Sequence, residues 1–277
     1  MTNMDKLYEA VAARGPVCVG LDTDFSYLPA DFVDTALTKG ENIVRFNKKL
    51  IDATKAVAGC YKVQIAYYES LGLEGMKAYA ETLAAVREAG IPVIAVSYND
   101  FSDYLKWFKV FCNINGKSEL WDSVALKALD QVTEILASCP TENNPSVFSM
   151  FVNADSLQAN TSNTVVGGMI SAMNAVNIVD TWENASSAER LEINLETVFS
   201  ANPDIIIVQC HAGEDDAKAL VESTYGSNPV WQSLKAVQDG KVYYLEKSLF
   251  HNKPNSRFAE AYQKLAQILY PELALSS

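Results

Sequence analysis

Apolar residues in the first hundred positions form short continuous runs, separated by stretches with helical spacing. The runs at 16–21, 60–66 and 91–96 are rich in apolar residues and bounded by turn residues, which is typical of buried parallel strands. Between them, 42–57 and 73–89 carry apolar residues three and four positions apart, which predicts two helices. This part of the chain is therefore predicted to be a β-α-β-α-β unit with three parallel strands and right-handed crossovers.

Beyond residue 100 the pattern changes, first to helices and then to a second unit of helices and strands. Aromatic residues at helical spacing predict a helix over 101–112, and one apolar stripe predicts a longer helix over 118–138. Further on, the predicted elements are strands at 146–152, 205–208 and 241–245 and helices at 165–174, 195–199 and 214–222, with an amphipathic helix at the end. The expected fold class is α/β: two α/β lobes with mainly parallel sheets joined by the long helix, with boundaries at 1–98, 99–143 and 144–277.

Composition and charge narrow the class of protein and of partner. The chain has 277 residues, of which 49% are hydrophobic and 20% charged, the balance of an ordinary globular protein. Its formal net charge of -12 and pI near 4.7 argue against nucleic acid and anionic membranes as partners, because both attract surplus Lys and Arg. No apolar stretch approaches the roughly 20 residues of a membrane span, and the start lacks a cationic and apolar leader, so the chain as written is expected to be cytoplasmic.

The cysteines and histidines follow no pattern typical of a metal or redox site. The five cysteines lack CxxC spacing and are interpreted as small buried thiols in a reducing compartment. His211 and His251 are the only histidines and lack HxxxH spacing, so hydrogen bonding within loops is a better interpretation than metal ligation. We expect no metal site and no cofactor.

Two charged residues stand out in the first unit. Asp22 follows the first predicted strand, at the end where parallel α/β folds place their chemistry. Lys62 falls inside the second predicted strand, where an ammonium group is costly unless a carboxylate or phosphate meets it. A functional lysine and a structural ion pair both fit this position.

Several motifs in the first third of the chain form an ordered set: VGLDTD at 19–24, FNK and IDAT within 46–54, YKVQIAYYE at 61–69 and GLEG at 72–75. In order and spacing this set resembles orotidine 5'-phosphate decarboxylase, the (β/α)8-barrel enzyme of the pyrimidine pathway. The resemblance implies that residues up to about 95 are a fragment of such a TIM barrel. It also implies that Asp22 contacts the ribose side of a substrate and that Lys62 belongs to a Lys-Asp-Lys-Asp network.

The sequence departs from that family directly after the third predicted strand. The family carries an Asp-x-Lys-x-x-Asp motif there, and the corresponding positions are Val96, Tyr98 and Phe101. Tyr98 cannot replace the cationic proton donor near neutral pH, because an unperturbed phenol titrates near about 10. We therefore expect no enzyme activity, and interpret Asp22 and Lys62 as relics of a catalytic site.

A second set of motifs lies in the last third of the chain: ANPDIIIV at 201–208, NPVWQSLKAV at 228–237, FHNKPNSR at 250–257 and LYPE at 269–272. Through these motifs the sequence from about residue 90 to residue 272 resembles a different family, the ABC-transporter solute-binding proteins for ferric siderophores, haem and cobalamin. The resemblance implies a ligand cleft between two lobes joined by one long helix. It further implies that Glu196 contacts the permease and that the parent protein is exported.

Ligand contacts in the second lobe are expected at the carboxyl ends of its strands, where α/β lobes offer polar groups. The candidates lie in the loop after the 146–152 strand, the turn at 209–211 and the loop at 250–257: Asp155, Ser156, Gln158, Asn160, His211, Phe250, His251 and Arg257. Each has a structural alternative, and Arg257 fits equally well as a tie between the last helix and its loop.

These observations lead to one main hypothesis and two alternatives. The main hypothesis is a chimera joined at 91–96, without evolved catalytic activity, that retains weak small-molecule binding between its lobes. The alternatives are a solute-binding protein for a ferric siderophore, haem or cobalamin, and an orotidine 5'-phosphate decarboxylase. The barrel fragment has lost the neighbours of its sheet edges, so we expect nearby strands or a homodimer partner to cover them. The sequence leaves open whether the fusion is natural or engineered.

Overall fold

The computed structural model describes residues 3–91, 93, 96, 98–153, 155–211, 213–251 and 253–273. The chain divides into two compact units. The first unit comprises Met1–Val96 and Val110–Lys117, and the second comprises Ser97–Lys109 and Ser118–Ser277. The chain therefore passes between the units more than once around residues 96 to 118.

Helices and short strands make up the first unit. In chain order they are α1 (Asn3–Arg14), β1 (Cys18–Gly20), α2 (Lys39–Thr54), β2 (Cys60–Lys62), α3 (Ile65–Glu69) and α4 (Gly72–Glu88), with a 3-10 turn at Phe25–Tyr27. The helix α2 begins at a capping box, in which the Thr38 hydroxyl accepts from the Glu41 amide and the Glu41 carboxylate accepts from the Thr38 amide. β1 and β2 pair in parallel, so the predicted β-α-β order is confirmed for these two strands.

The second predicted strand is shorter than the sequence indicates. β2 ends at Lys62, and the apolar residues after it form the short helix α3 instead of continuing the strand to 66. The helical turn brings the hydroxyl of Tyr68 to the carbonyl of Leu21, to which it donates at 2.9 Å. That buried hydrogen bond requires a bend in the chain which an extended strand does not make. Lys62 is consequently the last residue of its strand and not a central one.

The third predicted strand, at 91–96, lies partly outside the described residues. Pro92, Ile94 and Ala95 are not described, and Ile91, Val93 and Val96 are not part of a strand. Ile91 is nevertheless buried, in a cluster of apolar side chains with Leu21, Ile51 and Val86. The described sheet of the first unit therefore consists of the β1–β2 pair.

The second unit contains helices and a larger sheet. Its helices are the start of α5 (Phe101–Ile114), α6 (Lys127–Ser138), α7 (Val165–Ala172), α8 (Leu195–Ala201), α9 (Glu214–Tyr225), α10 (Pro229–Ser233), α11 (Lys235–Gln238), α12 (Lys247–Phe250) and α13 (Phe258–Leu269). Its strands are β3 (Ser146–Val152), β4 (Leu157–Asn160), β5 (Val176–Asn177), β6 (Arg190–Glu192), β7 (Ile205–Cys210) and β8 (Val242–Leu245). None of the described helices combines the length and apolar character needed to cross a membrane.

The predicted long helix is present but contains a π-helical stretch at Trp121–Leu126, directly before α6. A π-turn inserts one extra residue and so shifts the face that the helix buries. Ala125 is completely buried, and the buried positions continue at Ala128 and Val132 of α6. The predicted apolar stripe is therefore correct in α6 but not upstream, where Leu120 is exposed.

The sheet of the second unit has the strand order β6-β4-β3-β7-β8, with β5 beside the start of β3. The strands β3, β7 and β8 are parallel, whereas β4 pairs antiparallel with both β3 and β6, so that β6 runs in the same direction as β3. Successive residues of β7 pack into different cores, because Ile205 and Ile207 face α6, α7 and α13 while Ile206 and Val208 face α9 and α10. Helices thus cover both faces, which explains the continuous apolar run.

Candidate functional site

A pocket lies at the carboxyl end of β7 in the second unit. Its walls are Asn99, Asn163, Thr164, Val165, Glu189, Arg190, Gln209, Phe250, His251 and Lys253, and we call it the Arg190 pocket. It holds about 410 Å³ of empty space, part of it open to solvent. The enclosed part measures about 90 Å³, so a larger ligand would extend beyond it into solvent.

Arg190, the first residue of β6, is the central cation of the pocket. Its Nε donates to Asn160 Oδ1 at 3.1 Å, and its guanidinium carbon lies 4.1 Å from the centre of the Phe151 ring. Burial lowers the pKa of the guanidinium, and the carboxylate of Glu189, 3.9 Å away, opposes that effect. The group stays charged, because the ordinary pKa of arginine is above about 12. The structure thus holds a partly desolvated, oriented cation at the pocket wall.

A chain of amide hydrogen bonds fixes the base of the pocket. Asn160 donates through Nδ2 to Gln209 Oε1 at 3.1 Å, and Gln209 donates through Nε2 to the carbonyl of Phe250 at 2.9 Å. The backbone carbonyl of Asn160 in turn accepts from Asn177 Nδ2 at 2.9 Å. Asn160 is completely buried, so these bonds supply the partners that a desolvated amide needs. They also hold Asn160 Oδ1 in place for Arg190.

The two histidines meet beside the Phe151 ring. His211 and His251 have ring centroids 4.4 Å apart, and the His251 ring stacks against Phe151 with centroids 6.2 Å apart. Burial is the main reason why the pKa of His251 is lowered, and His211, Lys247 and Arg190 lower it further. The Nδ1 atom of His251 is buried without a hydrogen-bond partner in the described structure. A neutral imidazole with a free nitrogen can accept a hydrogen bond or coordinate a metal carried by a ligand.

Lys253 supplies a second cation to the pocket wall. Its Nζ donates to the carbonyl of Tyr98 and lies 4.5 Å from the centre of the Tyr98 ring. Burial lowers the pKa of this lysine, while the carboxylates of Glu189 and Asp103 raise it. Lys253 has a positive φ of 61°, a conformation that side chains other than glycine rarely adopt. A cation held in such a way at a pocket is typical of a functional site.

The pocket therefore combines cations, aromatic surface and amides in a chain whose net charge is -12. Such walls suit an anionic ligand with a flat apolar part, because guanidinium groups pair with carboxylates and aromatic rings stack on planar surfaces. Among the described residues no group of three or more His, Cys, Asp and Glu side chains is placed to hold a metal ion.

The structure brings several of the predicted ligand residues to this pocket. Phe250 and His251 line it, Asn160 holds Arg190 from below, and His211 packs against His251. Two details of the prediction are wrong. Asn160 and Gln158 lie on strand β4 and not in a loop, because the chain turns back after β3 and pairs with it in antiparallel register. Likewise Gln209 extends strand β7 and does not belong to a turn.

Other predicted residues do not line the pocket. Asp155, Ser156 and Gln158 are exposed on the β3–β4 hairpin. Arg257 is also exposed and forms a two-point ion pair with Glu260 in the first turn of α13, with both N–O distances 2.7 Å. Of the two interpretations of Arg257, this geometry favours the tie between the last helix and its loop.

Arg190 and Lys253 are the residues that sequence reasoning missed as ligand contacts. Arg190-Leu191-Glu192-Ile193 alternates polar and apolar residues, which is the signal of a half-buried strand. That signal could have revealed β6 and placed Arg190 at a strand end. Lys253 carries no comparable signal, since its position depends on the backbone turn after α12.

In the first unit, Asp22 and Lys62 form an ion pair at the ends of their strands. Lys62 Nζ lies 2.6 Å from Asp22 Oδ2 and 2.5 Å from Gln64 Oε1. The Lys62 side chain is 55% exposed, and Asp22 Oδ1 is buried without a hydrogen-bond partner in the described structure. Behind the pair, the Thr23 hydroxyl donates to Asn47 Oδ1 at 2.6 Å. The structural interpretation of Lys62, an ion pair, is thus realised, whereas the Lys-Asp-Lys-Asp network that the resemblance implies stays a prediction.

The three positions that replace the decarboxylase motif lie in apolar or exposed surroundings. Val96 is 50% exposed, in the first unit. Tyr98 and Phe101 belong to the second unit, where both rings pack against Phe258. Burial raises the pKa of Tyr98, so its phenol is an even weaker acid than an exposed one.

Glu196, the predicted permease contact, lies in the first turn of α8. The Asn194 side chain caps this helix by accepting from the Thr197 amide at 3.1 Å. Glu196 is exposed, and Phe199, one turn further on, exposes 49% of its surface. The helix therefore presents a carboxylate and an aromatic ring to solvent.

Comparison with curated sequences finds orotidine 5'-phosphate decarboxylases. The protein of Clostridium botulinum is 47% identical over 106 residues, and that of Clostridium novyi is 49% identical over 100 residues. The match covers 38% of this chain and 38% of the C. botulinum protein. The chain thus spans about two fifths of the length of these relatives, and the predicted resemblance to part of that family is confirmed.

Comparison with solved structures finds solute-binding proteins over nearly the whole chain. S. aureus IsdE, solved in complex with haem, has a TM-score of 0.63 and 16% identity, covering 97% of both chains. An ABC transporter substrate-binding protein from Listeria monocytogenes has a TM-score of 0.61 and 15% identity, covering 96% of both chains. The periplasmic haem-binding protein HutB of Vibrio cholerae has a TM-score of 0.58 and 16% identity, over 81% of this chain and 96% of that one. At these identities the likeness shows the fold, which is the predicted one.

A family model confirms the second resemblance at the level of sequence. The model for periplasmic binding proteins matches residues 75–249. The match begins inside α4, upstream of the join expected at 91–96, and includes the whole of β3, β7 and β8. Since this range is more than half of the chain, the protein belongs to the periplasmic binding protein family.

Proposed function

We propose that the chain is the solute-binding protein of an ABC-type importer and that the Arg190 pocket binds an anionic iron chelate of the haem class. The proposal rests on two desolvated cations, Arg190 and Lys253, which line the same pocket as His251. The ring of His251 stacks on that of Phe151, and Arg190 lies over the same Phe151 ring. Family membership and the fold shared with haem-binding proteins support it.

The chemistry of haem matches the walls of this pocket in two ways. Its propionates would accept from Arg190 and Lys253, and such charge-assisted bonds are about twice as strong as neutral ones. The flat porphyrin would lie against aromatic rings, and His251 would coordinate its iron only after its ring turns, because its Nδ1 is buried. A ferric siderophore or a corrinoid would use the same cations but would not need the imidazole.

The test is a titration of the full chain with haem, a ferric catecholate siderophore and cyanocobalamin, followed by absorbance and intrinsic fluorescence. We expect saturable binding of haem with a shift of its main absorption band. Preferential binding of the siderophore or of cyanocobalamin would retain the solute-binding function but replace the ligand class. If none of the three compounds changes the absorbance or the fluorescence, the proposal is overturned and the chain is a chimera without ligand.

Glu196 and Phe199 on α8 would serve as a docking point for the permease in the same function. An exposed carboxylate pairs readily with arginine, and an exposed aromatic ring adds apolar area to an interface. This function places the working protein outside the cytoplasmic membrane. Substituting Glu196→Gln should leave ligand affinity unchanged and reduce solute uptake in a reconstituted transporter; unchanged uptake would remove Glu196 from the interface.

A further inference from the structure

Two cysteines of the first unit face each other across the β1–β2 ladder. Cys18 of β1 and Cys60 of β2 are direct partners in the parallel register. Neighbouring strands are about 4.8 Å apart, and residues opposite each other point to the same face of the sheet. A disulfide joins Cα atoms about 4.4–6.8 Å apart, so the backbone spacing of this pair falls within the range that permits the bond.

The surroundings give the two thiols different roles. Cys18 is exposed, whereas Cys60 is half-buried. Burial is the main cause that raises the pKa of Cys60 to about 12, and the hydrogen bond and proximity of Cys18 raise it further. The register places both side chains next to each other on the same face of the ladder. Cys18 is thus open to an attacking reagent, and Cys60 lies behind it as the second thiol.

The other cysteines lack this arrangement. Cys112, Cys139 and Cys210 are buried, which withholds them from reagents in solution. Burial raises the pKa of Cys139 and raises that of Cys210 to about 11, so neither forms a thiolate readily. The β1–β2 ladder therefore carries two adjacent cysteines, one of which, Cys18, is exposed.

We propose that Cys18 and Cys60 are a dithiol site that closes to an intrachain disulfide in the presence of a small disulfide oxidant. The Cys18 thiolate attacks one sulfur of the oxidant, forms a mixed disulfide and releases one thiolate. Cys60 then loses its proton and attacks the Cys18 sulfur, which releases the second thiolate. Two protein thiols are oxidised, the oxidant is reduced to two thiols, and the two protons end on those thiols.

The strand register also explains how the second step proceeds despite the high pKa of Cys60. The attack is intramolecular, between side chains of directly paired residues on one face of the ladder, which raises its effective concentration. A Cys18 sulfur in a mixed disulfide carries no charge, so its part in raising the pKa of Cys60 disappears. The bond would close the loop that contains Asp22 and would fix Cys60 two residues before Lys62.

The site is tested with the full chain, independently of any solute. The protein is incubated with oxidised glutathione, quenched in acid, unfolded and alkylated, and the alkylated cysteines are counted by mass spectrometry. We expect two fewer alkylated cysteines than the five of the untreated chain, together with a peptide pair that links Cys18 to Cys60. Dithiothreitol should restore the original count.

Single substitutions separate this mechanism from other thiol chemistry. Cys60→Ser should stop at one glutathione bound to Cys18, because the second thiol is missing. Cys139→Ser should still lose two cysteines to the linkage, since serine can keep the bond that Cys139 Sγ donates to the Ile135 carbonyl. Five alkylated cysteines after treatment, a lasting glutathione adduct on Cys18 of the unaltered chain, or a disulfide between two chains would each overturn the proposal.

Discussion

The imidazole rings of His211 and His251 meet at an interplanar angle of 72°, with their centroids 4.4 Å apart. Two rings at this distance cannot both be positively charged imidazolium groups without strong repulsion. Burial already disfavours the charged form of His251, and His211 adds to the lowering of its pKa. The pair therefore keeps His251 neutral at neutral pH, with its Nδ1 free of protein partners in the described structure.

This lowered pKa predicts how stability depends on pH. A base whose pKa is lower in the folded than in the unfolded chain binds fewer protons when folded, so acid favours unfolding. We expect the contribution of His251 to be level above its ordinary value of 6.5 and to become destabilising as the pH falls below it. The loss of unfolding free energy between about pH 7.5 and about pH 5.5, measured in urea, should be smaller for His251→Gln than for the unaltered chain. Equal losses would contradict the assignment.

The buried hydroxyl of Tyr68 should stabilise the first unit. It donates to the Leu21 carbonyl and accepts from Asn47 Nδ2, both at 2.9 Å, in a side chain with no exposed surface. Tyr68→Phe removes the donor to the Leu21 carbonyl and leaves Asn47 Nδ2 with its longer bond to Thr82 Oγ1 at 3.3 Å, so we expect a loss of about 1–3 kcal/mol in the free energy of unfolding. Tyr8→Phe, at an exposed position, is the matched control and should change little. A Tyr68→Phe protein as stable as the control would refute this role.

Asp204 should stabilise the sheet of the second unit at the amino ends of β3 and β7. Its carboxylate accepts from the Ser146 amide and hydroxyl and pairs with Lys235 at 2.9 Å, and these contacts lower its pKa from 3.8 to about 2. Its stabilisation is therefore present above pH 3.8 and is lost as the pH falls toward 2. Because the group is partly exposed, we expect Asp204→Asn to cost about 1 kcal/mol at neutral pH.

The control for this variant is Asp239→Asn, which removes a carboxylate that lies 3.7 Å from the same lysine. It should cost clearly less, because a long exposed ion pair contributes little. The free energies of unfolding of both variants, measured by chemical unfolding at neutral pH, test this prediction. Equal stability of the two variants would show that the charge of Asp204 contributes no more than that of a long exposed ion pair.

The first unit is expected to lack decarboxylase activity. Asp22 and Lys62 form an ion pair, but Tyr98 stands where the family has its proton-donating lysine, and burial raises the pKa of that phenol. We predict that the absorbance of orotidine 5'-phosphate stays constant in the presence of the chain, while an intact decarboxylase in the same buffer consumes it. Turnover that disappears in Lys62→Ala would contradict the prediction.

The elements that the sequence predicted best are those with strong internal periodicity. β3 matches its predicted range, and α4, α9 and β7 agree within a few residues, because long apolar runs and clear helical stripes leave little choice. β5 was missed because two residues cannot establish a period, and β6 was missed although its polar and apolar residues alternate. The π-helical stretch before α6 also leaves no trace in an apolar pattern.

The site was predictable only in part, for a physical reason. Phe250, His251 and Asn160 follow or end strands, where a general rule for α/β folds places polar contacts. Arg190 is the first residue of β6, so it reaches the pocket from the amino end of a strand, which the rule does not cover, and Asn160 Oδ1 holds it there. Such convergence depends on the pairing of β4 with β6, which no local pattern specifies.

The affinity of the chain for haem, compared between the unaltered protein and Arg190→Gln, tests the central claim most directly. The control is Arg45→Gln, which removes an exposed arginine of the first unit. Loss of a charge-assisted bond should cost about 1.5–3 kcal/mol, so we predict a rise in Kd of about 10-fold to 100-fold for Arg190→Gln and none for Arg45→Gln. Haem binding that Arg190→Gln leaves unchanged would contradict the account.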